Sequence, residues 1–172
     1  WFNAATGITN NTATSNRSYG NSQDGISIGD PGSDSNTFTS NLSYGNVRSG
    51  ISLDGSNNTF TSNTSFGNGV DGILCWTTTA HRNVFTSNLL YSNGAAGFQL
   101  DGGATNNVLT SNDLYDNGGQ GYAALRVVGG SHNNVLLSNQ VHHNRFGAIT
   151  IGESNSTTLV ANQVHSETAT GL

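Results

Sequence analysis

The chain has 172 residues, of which 33% are hydrophobic and only 9% charged, with a formal net charge of −5. That length suits one domain, and so little charge separates the chain from a disordered polyelectrolyte. The basic residues are Arg17, Arg48, Arg82, Arg126 and Arg145, with no lysine, which excludes the basic patch of a nucleic-acid binder and the polybasic segment of a membrane-surface protein; no apolar run approaches the ~20 residues of a membrane span.

What fills the sequence instead is Asn, Ser, Thr and Gly. The first residue is Trp1 rather than Met, so the expectation is one domain over residues 1–172, cut from a longer secreted precursor. Cys75 is the single cysteine and has no partner for an internal disulfide.

A six-residue phrase recurs along the chain. Asn36-Thr37-Phe38-Thr39-Ser40-Asn41 returns as Asn58-Thr59-Phe60-Thr61-Ser62-Asn63 and as Asn83-Val84-Phe85-Thr86-Ser87-Asn88, with looser copies starting at Asn11, Asn107, Asn134 and Thr157. Successive starts lie 25, 22, 25, 24, 27 and 23 residues apart. Aligned on these starts, the residues form columns. The closing Asn gives Asn16, Asn41, Asn63, Asn88, Asn112, Asn139 and Asn162. Aromatic rings follow at Tyr19, Tyr44, Phe66, Tyr91, Tyr115, His142 and His165, and a second Asn at Asn21, Asn46, Asn68, Asn93, Asn117 and Asn144. A small residue comes next, at Gly25, Gly50, Gly72, Gly97, Gly121, Ala148 and Gly171. It is followed by an apolar residue at Ile26, Ile51, Ile73, Phe98, Tyr122, Ile149 and Leu172, and another two further on at Ile28, Leu53, Cys75, Leu100, Ala124 and Ile151.

Alternation of this kind is the period of a strand, and no segment keeps the spacing of an amphipathic helix. A repeat of this size holds three short strands and their bends. Hairpins of a β-sandwich do not require the same residue at one position of every unit; stacked coils do. The sequence therefore predicts an all-β, right-handed parallel β-helix of about seven coils, with Asn side chains bonding from coil to coil as ladders. Pro31 falls between strands, where proline belongs. For the aromatic column, parity with Asn16 argues outward and ring stacking argues half-buried.

These motifs resemble the parallel β-helix repeat family, whose pattern is Asn-x-hydrophobic-x-x-Asn, then Asn-Gly, then Gly-Ile-x-Leu. Here it reads Asn58 to Asn63, Asn68-Gly69 and Gly72-Ile73-Leu74-Cys75. The resemblance runs from about Asn10 to Leu172 and implies the pectate-lyase-like right-handed β-helix. The wider group includes pectate-lyase-like enzymes, alginate epimerases, carbohydrate-binding and sugar-hydrolase domains, and periplasmic copper-binding-type proteins. Its epimerases carry a Tyr-Gly-Phe-Asp-Pro-His type motif. This chain has Tyr-Gly-Asn at Tyr19 and Tyr44 and nothing like Asp-Pro-His. If the protein is an enzyme, the resemblance implies a polysaccharide lyase or glycoside hydrolase.

Departures from the repeat are where a specific activity can sit, since a residue present in every coil serves the stack. Two stretches depart, Cys75 to Arg82 and Leu125 to His132, both assigned to the bend after the Gly-Ile strand and so to one edge of the helix. The column Gly29, Asp54, Trp76, Asp101, Leu125, Gly152 places Asp54 and Asp101 two coils apart, ~9.6 Å along the axis. That is near the ~6.5–9.5 Å of paired carboxyl groups in inverting glycosidases, and makes Asp54 and Asp101 the candidate catalytic pair. Trp76 between them is a platform for a sugar ring, with His81, Gln99 and Arg126 as further substrate-binding candidates. The competing reading is that Asp54-Gly55 and Asp101-Gly102 are ordinary turn dipeptides.

The remaining features carry plainer expectations. Thr12-Ala13-Thr14, Thr37-Phe38-Thr39 and Thr59-Phe60-Thr61 place paired threonines outward, as on the ice-binding face of β-helical antifreeze proteins, although Thr is also simply favoured on strands. Cys75 is expected to be buried and inert, and His142 and His165 to stack rather than to hold a metal. No motif calls for a cofactor; calcium is left open without one. The leading functional expectation is an extracellular or cell-surface β-helix that binds or processes polysaccharide along its lateral face. The alternative is a structural β-solenoid, an adhesin, surface-layer or filament segment that self-associates end to end, because no capping helix pattern is visible. Ice binding is the third and weakest reading.

Overall fold

The computed structural model describes residues 7–29 and 31–165. The first coil comprises β1 (Thr12–Thr14), β2 (Arg17–Tyr19) and β3 (Ile26–Ile28), and the second β4 (Thr37–Thr39), β5 (Leu42–Tyr44) and β6 (Ile51–Leu53). The third has β7 (Thr59–Thr61), β8 (Thr64–Phe66) and β9 (Ile73–Cys75); the fourth has β10 (Val84–Thr86), β11 (Leu89–Tyr91) and β12 (Phe98–Leu100). The fifth has β13 (Val108–Thr110), β14 (Asp113–Tyr115) and β15 (Leu125–Val127), and the sixth β16 (Val135–Leu137), β17 (Gln140–His142) and β18 (Ile149–Ile151). Two further strands, β19 (Thr158–Val160) and β20 (Gln163–His165), begin a seventh. Equivalent strands of successive coils pair in parallel and in register, giving two seven-stranded sheets and one six-stranded sheet. The fold is the expected right-handed parallel β-helix. It shows six complete coils and two strands of a seventh rather than seven whole ones; the expected Gly171 and Leu172 lie outside the described residues.

Each corner is made the same way. One residue takes a left-handed backbone conformation and the next turns an Asn side chain inward. Ser15, Ser40, Ser62, Ser87, Ser111 and Ser138, with φ between 54° and 57°, precede the ladder from Asn16 to Asn139 in this manner. A single left-handed residue reverses the curl of the chain within one step, and a short polar side chain tolerates it better than a branched one. Three Asn ladders result. In the middle one, Asn63 Oδ1 accepts the Asn41 backbone N–H at 2.9 Å and its Nδ2 at 3.0 Å. Asn63 Nδ2 in turn donates to the Phe38 carbonyl at 2.9 Å and to Asn88 Oδ1 at 3.0 Å. Every donor and acceptor of a fully buried amide is thereby used, which is what permits so polar an interior.

Between the ladders the core is apolar. Phe38, Phe60 and Phe85 stack with centroids 4.8 and 4.9 Å apart, and Phe98 meets Phe85 edge-on. Ile28, Leu53, Cys75, Leu100 and Val127 fill the opposite wall, and Cys75 is buried as expected. Gly50 belongs where the third sheet begins because a methyl there would lie 1.9 Å from Ser65 Oγ and 2.9 Å from the Gly72 carbonyl.

On the outside of the second sheet the rings from Tyr19 to His165 form one continuous stack, neighbours 4.8–5.3 Å apart. They point outward and cover one another's faces, so both sequence arguments about this column hold. His142 also shares a 2.8 Å contact between its Nδ1 and that of His143, and its Nε2 lies 2.9 Å from Asp113 Oδ1. The threonines flanking Phe38 and Phe60 stand outward in register, but one column continues as Val84, Val108 and Val135, and the other keeps Thr86 and Thr110 and then turns to Leu137.

One stretch of the expected alignment is displaced. The repeat spacing puts Gly121, Tyr122 and Ala124 in the Gly and apolar columns; instead Leu125 pairs with Phe98 and Val127 with Leu100. Ala124 takes the Gly position, and Val128, whose N–H donates to the Leu100 carbonyl at 2.9 Å, replaces Leu125 in the column of Asp54 and Asp101. The reason is an insertion. Nine residues, 116–124, separate β14 from β15, whereas six, 92–97, separate β11 from β12. The irregular stretch of this coil is therefore Gly118 to Ala123, ahead of the strand, and not Leu125 to His132 after it.

Candidate functional site

Because the first and third residues of each third-sheet strand point into the core, the central residue points out. Those centres form a column of Ser27, Ser52, Leu74, Gln99, Arg126 and Thr150. A groove of about 430 Å³ runs along it, with Ser27, Ser52, Leu74 and Gln99 as its floor. Gln23, Asp24 and Arg48 form the lip ahead of the strands, and Gly29, Trp76 and Asp101 the lip behind them. Trp76 is 54% exposed on the lip, which leaves its ring open to a partner in the groove.

A polar row runs from the end of the groove on the fourth coil to the fifth coil. Asp101 Oδ2 accepts from Gln99 Nε2 at 3.0 Å, and Gln99 Oε1 accepts from Arg126 Nη1 at 2.7 Å. The Arg126 guanidinium lies 4.3 Å from the ring centroid of Tyr122, a cation–π contact. Of the residues singled out in the sequence, Trp76, Gln99 and Asp101 line the groove, and Arg126 joins them through Gln99.

Asp54 does not. It occupies the position equivalent to Asp101, as the matching bonds Asp54 N–H to the Ile28 carbonyl and Asp101 N–H to the Cys75 carbonyl show, both 2.8 Å. Yet Asp54 is buried, and its Oδ1 accepts from the hydroxyls of Thr77 and Thr79 in the next coil's loop. Thr79 Oγ1 also reaches the Asp54 carbonyl at 3.1 Å. Asp54 thus caps that loop. His81 lies later in the same loop, near the first sheet, where its carbonyl accepts from the Asn57 N–H at 3.1 Å; it is outside the groove lining.

Asp71, overlooked in the sequence, sits just inside the lip at 3% exposure. Burial pushes its pKa up to about 6 despite a 2.9 Å hydrogen bond from the Ala96 N–H and the opposing pull of Arg126; Asp101 and Asp24 push it further up. The available signal was its place directly before the column glycine Gly72, shared with Asp24 before Gly25. The site offers ring stacking, hydroxyl-directed hydrogen bonds and an anchored guanidinium.

Residues 4–124 match the family model described as periplasmic copper-binding protein (NosD). The chain belongs to the NosD family. Its structural neighbours include the A-modules of two mannuronan C-5 epimerases of Azotobacter vinelandii. AlgE4 is 18% identical with a TM-score of 0.69, covering 92% of this chain and 54% of that one; AlgE6 is 19% identical at 0.67, covering 92% and 55%. The periplasmic alginate epimerase AlgG follows at 18% identity and 0.62, covering 93% and 42%. At such identities the likeness is one of fold, and the chain spans about half the length of these neighbours. No curated protein matches the chain.

The NosD description names copper, and the residues present do not fit it. Within the matched segment the histidines and cysteines are His81, which stands alone, and Cys75, which is fully buried; the whole chain has no Met. Among the described residues no three His, Cys, Asp or Glu side chains gather where one ion could bind. The 2.8 Å between the Nδ1 atoms of His142 and His143 is a hydrogen-bond distance, shorter than two imidazoles sharing an ion at ~2.0 Å each would show in tetrahedral geometry. No helix among the described residues is long and apolar enough to cross a membrane.

Proposed function

We propose that this protein binds polysaccharide along the groove on the outer face of its third sheet, outside the cytoplasm, as an extracellular or cell-surface protein. The observation that carries this is the exposed ring of Trp76 beside the hydrogen-bonded row Asp101–Gln99–Arg126. An indole face stacks on the apolar face of a sugar ring, and polar groups already fixed in place bond its hydroxyls with little further ordering. The epimerase likeness supports the same substrate class, since the neighbours' names place them on mannuronan and alginate. The location is supported by the periplasmic setting of the NosD copper-binding protein and of the alginate epimerase AlgG.

Binding is favoured over hydrolysis by a carboxylate pair because Asp54 is committed to Thr77 and Thr79. The test is a glycan-array screen with Trp76→Ala as control. Binding by the wild type that the variant loses supports the proposal, and no binding to any glycan removes it. The alternative reading is a structural module whose coils self-associate end to end. Sedimentation velocity separates it, since end-to-end stacking gives concentration-dependent filaments.

A further inference from the structure

The insertion Gly118 to Ala123 does not hang free. Gly118 N–H donates to the Ala95 carbonyl at 2.7 Å, and Gln120 Nε2 reaches up two coils to the Gly69 carbonyl at 3.0 Å. The insertion therefore lies against the lip ahead of the third-sheet strands and ends with Tyr122 beside Arg126. Tyr122 is 38% exposed, with the guanidinium 4.3 Å from its ring centroid.

Two exposed aromatic residues thus flank one polar row from opposite sides. Trp76 leaves the end of β9 on the third coil, and Tyr122 precedes the start of β15 on the fifth. They stand on opposite lips and are separated by two coil rises, about 10 Å along the axis. Between them the floor is Leu74, Gln99 and Arg126, one residue per coil. Such a layout is oblique to the helix axis.

We infer that the site takes an internal segment of an extended polysaccharide, which crosses from the Trp76 ring over the Gln99–Arg126 pair to the Tyr122 ring, and that Tyr122 is the residue that sets this path. The inference rests on the polysaccharide reading of the groove. A monosaccharide or short oligosaccharide reaches one ring; only a longer chain reaches both, so affinity rises with length until the second ring is engaged. Arg126, held by Gln99 and by the Tyr122 ring, bonds the segment between them at little further ordering cost.

The experiment uses the full chain and oligosaccharide ladders, dimers to octamers, of β-1,4-linked mannuronate, xylose and glucose and of α-1,4-linked galacturonate. Affinities are compared for the wild type, Trp76→Ala, Tyr122→Ala and Tyr122→Phe. Expected is tighter binding with length in one ladder, an increment of roughly threefold to tenfold from the second ring. Tyr122→Ala abolishes that increment, over and above any loss shared by all lengths that follows from freeing Arg126; Tyr122→Phe keeps the ring and with it the increment. A wild-type length dependence unchanged in Tyr122→Ala, with Trp76→Ala still deficient, overturns this inference while the groove reading stands. A loss at all lengths in Tyr122→Ala that leaves the length increment intact also overturns it, since the ring then acts only through Arg126. No binding by the wild type in any ladder or on the array removes both.

Discussion

Gln99 and Arg126 occupy the same outward position on adjacent coils, and Arg126 Nη1 donates to Gln99 Oε1 at 2.7 Å. Coil stacking alone brings them together, 27 residues apart in sequence. Arg126→Lys keeps the charge but loses the planar fork that serves Gln99 and the Tyr122 ring together. Glycan affinity is expected to fall by about 1 kcal/mol, most of it the lost cation–π and guanidinium geometry. Titration calorimetry against the best glycan from the array measures it.

Trp76→Ala is expected to remove glycan binding while changing stability by no more than ~0.5 kcal/mol, because the side chain is more than half exposed. Urea unfolding monitored by circular dichroism checks the second half. A large loss of stability would mean that Trp76 serves the fold.

The ladders predict a steep dependence on depth. Asn88 is buried and makes four hydrogen bonds, to the N–H and Nδ2 of Asn63, the Phe60 carbonyl and Asn112 Oδ1. Asn88→Ala leaves several of these groups unpaired at about 1–3 kcal/mol each, so a loss of roughly 3–5 kcal/mol is expected. Asn16→Ala, at the exposed top of the same ladder, is expected to cost less than about 1 kcal/mol. Urea midpoints of the two variants give the comparison.

Asp71 predicts a pH dependence. Its folded pKa, about 6, lies above the ordinary 3.8, so its contribution to stability is fully present below pH ~4 and is lost as pH rises through ~6. The shift corresponds to about 3 kcal/mol. Asp71→Asn retains an acceptor for the Ala96 N–H and is expected to flatten that part of the stability profile. Thermal unfolding between pH 4 and pH 8 reads the difference.

Cys75 is fully buried, and burial pushes its thiol pKa well above the ordinary value. A thiol reagent is expected to leave the native protein unmodified at pH 8 and to label one thiol per chain after denaturation. Rapid labelling of the native state would contradict the inward placement.

Much of this was legible in the repeat. The Asn, aromatic and apolar columns follow from period two and a fixed coil length, because in-register stacking demands the same solution at each corner. For Tyr19 and Tyr44 parity argued outward and stacking argued half-buried, and the structure decided, setting the rings outside in one stack. Trp76, Gln99 and Asp101 were legible as a group for the same reason, since register alone assigns them to neighbouring coils. Asp71 was not, because its column also holds Ser49 and Ala96 and does not advertise a buried carboxyl.

Two decisions belonged to the tertiary structure. Gly121-Tyr122-Ala123-Ala124 fits the small-apolar-x-apolar pattern, as Ala124-Leu125-Arg126-Val127 does, so the sequence admits both registers. Stacking on Phe98 and Leu100 selects the second, which buries Leu125 and Val127 and leaves the polar-tipped Tyr122 at the surface. Asp54-Gly55 and Asp101-Gly102 are likewise identical as dipeptides and equivalent in register. They differ because the next coil sets Thr77 and Thr79 against Asp54, whereas Asp101 meets Gln99 of its own strand. A repeat determines where each backbone position lies, but a carboxylate's environment comes from the loop stacked upon it.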